Sequence, residues 1–304
     1  MVVHRLPFAP DTNWRIVQVV GNAAAGTVIA AVAATLSAGL IVPVLTSVMA
    51  QSSYGFTFTS YDPYTADPLV FLFAALLIWC WVTDRPWLAV ALSTIGIFAK
   101  ETVAVFAAGI AIAAVLERRD GWRRWLMPAA ASVITLAVFH LVAEYWLNWD
   151  ISTNPAAQLQ HGSWIGLWWR NNPFIERKVY MIFATFGFAW LFAAMGWRMA
   201  PSSWRTVAIG TIAPMAALMI VQTPERAIGN AFYVVIPLAA LFASRSPALA
   251  GIAIGLNGLV TAKAGSSAAW LPSGRWTLIP AAIAAALLIL NSRRTSSPQQ
   301  LTHL

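Results

Sequence analysis

A chain of 304 residues that is 59% hydrophobic and 10% charged, with a mean hydropathy of +0.68, has more apolar side chains than one aqueous core can hide. Soluble domains carry about 25% charged residues, so much of this surface is expected to face lipid. The formal net charge of +8 does not point to nucleic acid: no basic stretch is interleaved with aromatics, and basic residues flanking membrane spans account for it.

Only helices or closed barrels satisfy every backbone group in hydrocarbon. The apolar runs here are continuous rather than alternating, which predicts helices. The expected fold is all-α: a polytopic helical membrane protein with roughly 9–11 membrane segments. Candidate spans are 16–36, 39–52, 67–83, 86–99, 101–116, 125–147, 179–197, 204–222, 226–243, 246–263 and 275–291. Several fall short of the ~20 residues that cross a bilayer, and 39–52 and 86–99 could be re-entrant or tilted. With no internal repeat or low-complexity linker, residues 1–291 read as a single transmembrane domain and 292–304 as a disordered cytoplasmic tail.

The N-terminal "PFAPDTNWR" carries one carboxylate, Asp11, and has no signal-peptide architecture. Next, "SYDPYTADPLVFLF" places Asp62 and Asp67 each before a proline. Asp67 reads as a helix N-cap with proline at the first helical position, and Asp62 as part of a turn. The two carboxylates together could instead bind a divalent cation. Cys80 lies inside an apolar run and is the single cysteine, so no intrachain disulfide or multi-cysteine metal framework can form.

In "GIFAKETVAVF", Lys100 and Glu101 stand side by side between two apolar runs. A charge at a span's centre costs about 2.5–3.5 kcal/mol and less near the interface, so these two belong at a membrane face. One reading is a snorkelling lysine with a helix-starting glutamate. The other is a lysine aimed at a phosphate in an outward-facing cavity. The following "ERRDGWRRW" holds Arg118, Arg119, Arg123 and Arg124 in one loop, the strongest cytoplasmic signal in the chain. Counting spans from it places Arg198, Arg205, Arg245, Arg293 and Arg294 on the same side. Trp81, Trp87, Trp122, Trp125, Trp197 and Trp204 would belt that face. Counting backward leaves "PFAPDTNWR" outside with nothing before it to carry it across. Either one short piece is not a span, or the natural protein begins earlier with a further helix.

His140 and Glu144, four apart on one helical face near the outer end of a span, could share a metal ion but read first as an internal hydrogen-bonded pair. Residues 148–178 form the longest hydrophilic stretch, an outer loop whose "SWIGLWWRNNPF" suits a helix lying in the interface. In "QTPERAIGNAFYVVIPLAA", Thr223 can cap, Pro224 fits a first turn and Glu225 complements the helix dipole. Arg226 opposes that dipole. Arg226, Asn230 and Tyr233 recur at i, i+4 and i+7 as one polar stripe, and the arginine fork suits a phosphate.

The order of "YDPYTADPLVFLFAALLIWCW", "WLAVALSTIGIFAKETVAVFAAGIAI", "FATFGFAWLFAAMGWR" and "TPERAIGNAFYVVIPLAA" resembles bacterial polytopic proteins of the C-type glycosyltransferase superfamily over roughly residues 14–245. The resemblance implies transfer of a sugar from a polyprenyl-phosphate donor to an acceptor on the periplasmic side of the inner membrane. It also implies a carboxylate general base in the first outer loop, where Asp11 is the only carboxylate of the matching region. The family's preceding helix and paired acids are absent from this sequence. On this reading the cations Lys100 and Arg226 stabilise the leaving phosphate, and Asp11, Asp62 or Asp67 serve as base or metal ligand. Glu101, Glu225, Asn230 and Tyr233 support them. The partners implied are the polyprenyl-phosphate lipid donor and membrane lipids, with no nucleic acid. A transporter or lipid flippase, and a non-catalytic or shortened membrane subunit, are the competing expectations.

Overall fold

A computed structural model describes residues 7–37, 39–51, 53, 56, 65–118, 120–147, 164–171, 182–183, 185–219, 224–246 and 248–253. Among these residues the chain is all-helical, with no strand. Asp62, the span expected at 275–291, the tail 292–304 and most of the loop 148–178 lie outside the described residues.

The helices are α1 (Pro10–Ala33), α2 (Ile41–Gln51), α3 (Asp67–Val82), α4 (Pro86–Ile97), α5 (Val103–Glu117), α6 (Met127–Tyr145), α7 (Trp164–Asn171), α8 (Ala189–Trp197), α9 (Ser202–Leu218), α10 (Pro224–Gly229) and α11 (Phe232–Ala243). A helical run follows at 248–253. Prolines mark several starts: Pro10, Pro68, Pro86 and Pro128 each occupy one of the first two helical positions, where a missing N–H costs nothing.

Among the described residues two stretches are long and apolar enough to cross a membrane, Pro10–Leu36 with 27 residues and Trp122–Tyr145 with 24. The helices Ile41–Gln51, Asp67–Val82, Pro86–Ile97, Val103–Glu117 and Phe232–Ala243 are apolar but shorter. At 1.5 Å per residue the 12 residues of α4 reach only about 18 Å. Two expected spans differ in shape. The run 226–243 is broken at Asn230–Ala231 into α10 and α11, and the run 179–197 is helical at 182–183 and 185–186, then turns at Gly187 with φ 53° before α8 begins at Ala189.

The N-terminal segment expected as an outer loop is instead the first turns of α1, because Pro10 presets the helix and Asp11 complements its dipole. The tryptophan belt is also only partly there. Trp81, Trp125 and Trp204 are buried, Trp81 and Trp125 meeting edge to face at 5.1 Å, whereas Trp87 is exposed. Their rings find better cover in helix packing than at the rim.

α3, α4, α5 and α6 form successive hairpins, with α4 and α6 also packed together. One end of this group carries Arg85, over Trp79 at 4.9 Å, and the turn from Arg118 (φ 50°) through Gly121 (φ 67°) to Arg123 and Arg124. The other end carries Asp67 and Lys100. α1 lies against α2 and α3, α9 against α5, and α8 against α11.

Small residues set how close these helices come. Gly21 on α1 faces Pro68 in the first turn of α3, and Gly210 on α9 sits against Ala113 of α5. The tightest approach is at Gly196 on α8, where a Cβ would run into the backbone carbonyl of Leu238 on α11. Backbone cannot rotate out of the way, so Gly196→Ala is expected to destabilise the fold by about 2 kcal/mol or more. At Gly251 no atom lies within 4 Å, and Gly251→Ala should melt like the parent or slightly above it. Thermal unfolding in detergent reads both; a Gly196→Ala protein with unchanged melting would remove the close contact between α8 and α11.

Candidate functional site

α3 begins without a side-chain cap. Its N-cap is Ala66, and Asp67 is the first helical residue with its carboxylate turned to other segments. The N-cap role expected for Asp67 is therefore filled differently: Thr65 Oγ1 accepts from the Asp67 backbone N–H at 3.3 Å, a hydroxyl turn across two residues. This frees both Asp67 oxygens.

Lys100 and Arg226 occupy those oxygens. Lys100 Nζ donates to Asp67 Oδ1 at 2.8 Å. Arg226 Nε donates to Oδ2 at 3.1 Å, and its Nη2 donates to the same oxygen and, at 3.2 Å, to Thr65 Oγ1. The partners lie 33 and 159 residues from Asp67 in sequence. The side chains of Asp67, Lys100 and Arg226 keep 13%, 21% and 30% of their exposure, so the cluster is mostly enclosed yet reachable.

Local structure delivers each cation. The end of α4 fits between α3 and α5 because Gly96 has no side chain; a Cβ there would meet Val103 at 2.7 Å and Phe73 at 3.1 Å. The chain then turns through Lys100, whose N–H donates to the Gly96 carbonyl and whose carbonyl accepts from Val103, so its side chain reaches the first turn of α3. Arg226 stands on the short α10. Asn230 caps that helix, its Nδ2 donating to the Arg226 carbonyl at 3.0 Å. One turn below Asp67, Phe71 stacks on Phe56 at 5.0 Å and meets Phe232 edge to face at 5.4 Å, an apolar floor under the charges.

An apolar cavity of about 620 Å³ opens among α8, α9, α10 and α11. Trp190, Ala193 and Trp197 line it from α8, Thr211, Ile212 and Met215 from α9, and Val234, Val235 and Leu238 from α11. Ile228 lines it from α10, the helix that holds Arg226.

The other expected site residues fall as follows. Asp11 is exposed in the first turn of α1, ten residues or roughly 15 Å along the helix axis from Gly21, which faces Pro68. Glu101 is exposed beside Lys100, whose acceptor is Asp67 and not its neighbour. Tyr233 is buried against Phe106 at 5.5 Å and Phe232 at 5.7 Å, in the core and apart from the ion cluster. The stripe of Arg226, Asn230 and Tyr233 fails as a single face because the helix breaks between its second and third members. Asp62 and the Glu225 side chain lie outside the described residues. No hydrogen bond joins His140 to Glu144 among the described residues. The same residues hold no group of three or more metal-ligating side chains, and each oxygen of Asp67 accepts from a cation. Thr65 was missed by the sequence reading, although a threonine two residues before an aspartate that opens a helix is a recognisable turn signal.

No protein-family model, curated protein or solved structure matches this chain.

Removing one partner of an enclosed ion pair leaves the other without compensation. Asp67→Ala sets two cations side by side and is expected to cost about 2–3 kcal/mol, more than Lys100→Gln alone. The double variant Asp67→Ala, Lys100→Gln should lose less than the sum of its parts by about 1 kcal/mol. Melting temperatures of the four proteins give the coupling; strict additivity would show that the pair contributes nothing to the fold.

Proposed function

We propose that this chain is a polytopic membrane protein of the bacterial inner membrane whose Asp67–Lys100–Arg226 cluster binds the phosphate of a lipid-linked donor, serving sugar transfer from a polyprenyl phosphate to an acceptor on the periplasmic side. The observation that carries this reading is the meeting of two cations from distant segments at one end of the helices, next to an apolar cavity. A lipid phosphate has both halves of that chemistry.

Membrane residence is supported by rows of exposed apolar side chains. Val133, Ile134, Val138 and Leu141 on α6 are each more than half exposed, as are Trp87, Ile95 and Phe98 on or beside α4. Facing water they would forgo about 25 cal/mol for each Å² left uncovered. The arginine turn at 118–124 then marks the cytoplasmic face, which leaves Asp67, Lys100 and Arg226 outside. The short helices α3, α4 and α5 would sit in a locally thinned bilayer or tilt with their neighbours.

Lys100 has three N–H donors and spends one on Asp67, so a phosphate oxygen can take another without breaking the pair. Arg226 brings the planar fork that suits phosphate. Asp67 serves to position both, each of its oxygens accepting from a cation. In the enzyme reading the base falls to Asp62, five residues earlier in sequence, or to Asp11. A transporter is less well served, because its polar groups would be expected at mid-depth.

A second reading draws on the pairing of Asp67 with both cations and on the distance of Asp11 along α1. In it the cluster binds a lipid phosphate in a non-catalytic membrane subunit.

Sugar transfer from a radiolabelled polyprenyl-phosphate donor into membranes containing the full chain should fall about 100-fold or more in Arg226→Ala, with Arg226→Lys between the two. Equal incorporation by parent and Arg226→Ala would end the arginine's role. Donor binding that needs Arg226 but yields no transfer would select the non-catalytic reading.

Topology is tested separately. Cys80 is buried, so a cysteine introduced at Tyr145 or Asp120, both exposed, can be labelled on its own. An impermeant maleimide should reach Tyr145→Cys in intact spheroplasts and Asp120→Cys only after permeabilisation. Labelling of both from outside would refute the membrane arrangement.

A further inference from the structure

We propose that Asp67 selects the charge of the bound phosphate: by holding Lys100 and Arg226 together and cancelling one of their two charges, it favours a lipid phosphodiester over a lipid monophosphate. The inference rests on the phosphate-binding reading above and names the ligand class of that same site.

Two cations aimed at one point would by themselves match a doubly charged phosphate. Asp67 changes that balance, because its Oδ1 engages Lys100 and its Oδ2 engages Arg226 at the place an anion must approach. The trio carries one net positive charge. A phosphodiester carries one negative charge. A phosphate monoester, whose second ionisation lies near pH 6, carries close to two above neutral pH. The second charge finds no partner in the trio and lies against the Asp67 carboxylate, over the aromatic floor of Phe56, Phe71 and Phe232, where charges are poorly screened. This difference is made by Asp67 itself, whatever else Arg226 touches.

The preference has a direction in the proposed reaction. The bond between the sugar's anomeric carbon and the phosphate oxygen breaks, and its electron pair stays on that oxygen. The anomeric carbon bonds to the acceptor oxygen, whose proton goes to the base. The donor is a phosphodiester and the departing lipid a monophosphate, so a site that disfavours the second charge holds substrate and releases product.

The test uses the full chain in phosphatidylcholine nanodiscs at pH 8. Three probes are titrated: an isoprenyl phosphodiester of a simple sugar, the isoprenyl monophosphate with the same tail, and phosphatidylglycerol. The parent should bind the sugar phosphodiester more tightly than the monophosphate. Asp67→Asn should move that ratio toward the monophosphate by about five- to tenfold, the effect of one unit charge a few ångströms away. Asp67→Glu, which keeps the charge, should retain the parental preference. Lys100→Gln should move the ratio the opposite way, and this arm stands even if Asp67→Asn fails to fold. Ratios unchanged in Asp67→Asn or, where that variant does not fold, in Lys100→Gln overturn the charge selection while leaving the phosphate site intact. Absence of any Arg226-dependent binding to the parent removes the phosphate site, and this inference with it. Equal affinity for phosphatidylglycerol supports the charge preference but assigns the phosphodiester to bulk membrane lipid, which removes the sugar donor.

Discussion

The carboxylate of Asp67 is the point at which three parts of the chain are tied together. It opens α3, receives Lys100 from the α4–α5 turn and receives Arg226 from α10. An exposed ion pair contributes about 0–1 kcal/mol, since water solvates the separated charges nearly as well. This one is mostly enclosed and rests on phenylalanine rings, so losing a partner strands a charge. Once one helix start must face two particular cations, the register of α3 against α4, α5 and α10 is no longer free. Thr65 and Asn230 extend that constraint, one by accepting from Arg226 and the other by capping its helix.

Packing of small residues carries the constraint to the rest of the bundle. On the proposed membrane reading, helices in lipid gain little from leaving solvent and associate mainly where their backbones come close. Gly21 against Pro68 brings α1 to the turn that bears Asp67, and Gly96 lets the end of α4 settle between Phe73 and Val103. Larger side chains at these two positions would move the helix ends that carry the carboxylate and the lysine. The ion cluster therefore depends on two glycines that bring no side chain of their own to it.

Part of this was legible in the sequence for a simple reason: charge in an apolar chain is conspicuous. Lys100 and Arg226 stood out as cations at the ends of apolar runs, and both meet in the structure. Most of the apolar runs expected as helices are helices, with bounds shifted by a few residues, because continuous apolar character is a local property. Pairing is not local. Asp67 looked like a helix cap since Asp-Pro favours that role in any chain, and only the fold brings two cations near enough to claim its oxygens. The polar stripe through Arg226, Asn230 and Tyr233 assumed an unbroken helix; the break after Asn230 sends Tyr233 into the core beside Phe106. The adjacent Gly229 and Asn230 are residues that commonly end helices, so that break had a readable signal. Neither the site's Thr65 nor the closeness of the cavity to α10 could come from spacing alone.

On the proposed membrane arrangement, the depth of the cluster bears on what the molecule can do. Ionised groups at the end of a span need only a little water or mutual pairing to be tolerated, whereas at its centre they demand a hydrated path. Asp67, Lys100 and Arg226 lie at helix ends on the side opposite the arginine turn, and the cavity beside α10 is lined almost wholly by apolar side chains, with Thr211 the polar exception. An ion crossing the bilayer would gain nothing from such a cavity, and a free sugar would lose its hydrogen bonds there. A molecule with a phosphate at one end and hydrocarbon at the other loses neither its charge partners at the cluster nor its apolar cover in the cavity. The arrangement is amphiphilic in the same sense as a lipid phosphate, which is why the phosphate-binding reading accounts for the cations and the cavity with one ligand and not two.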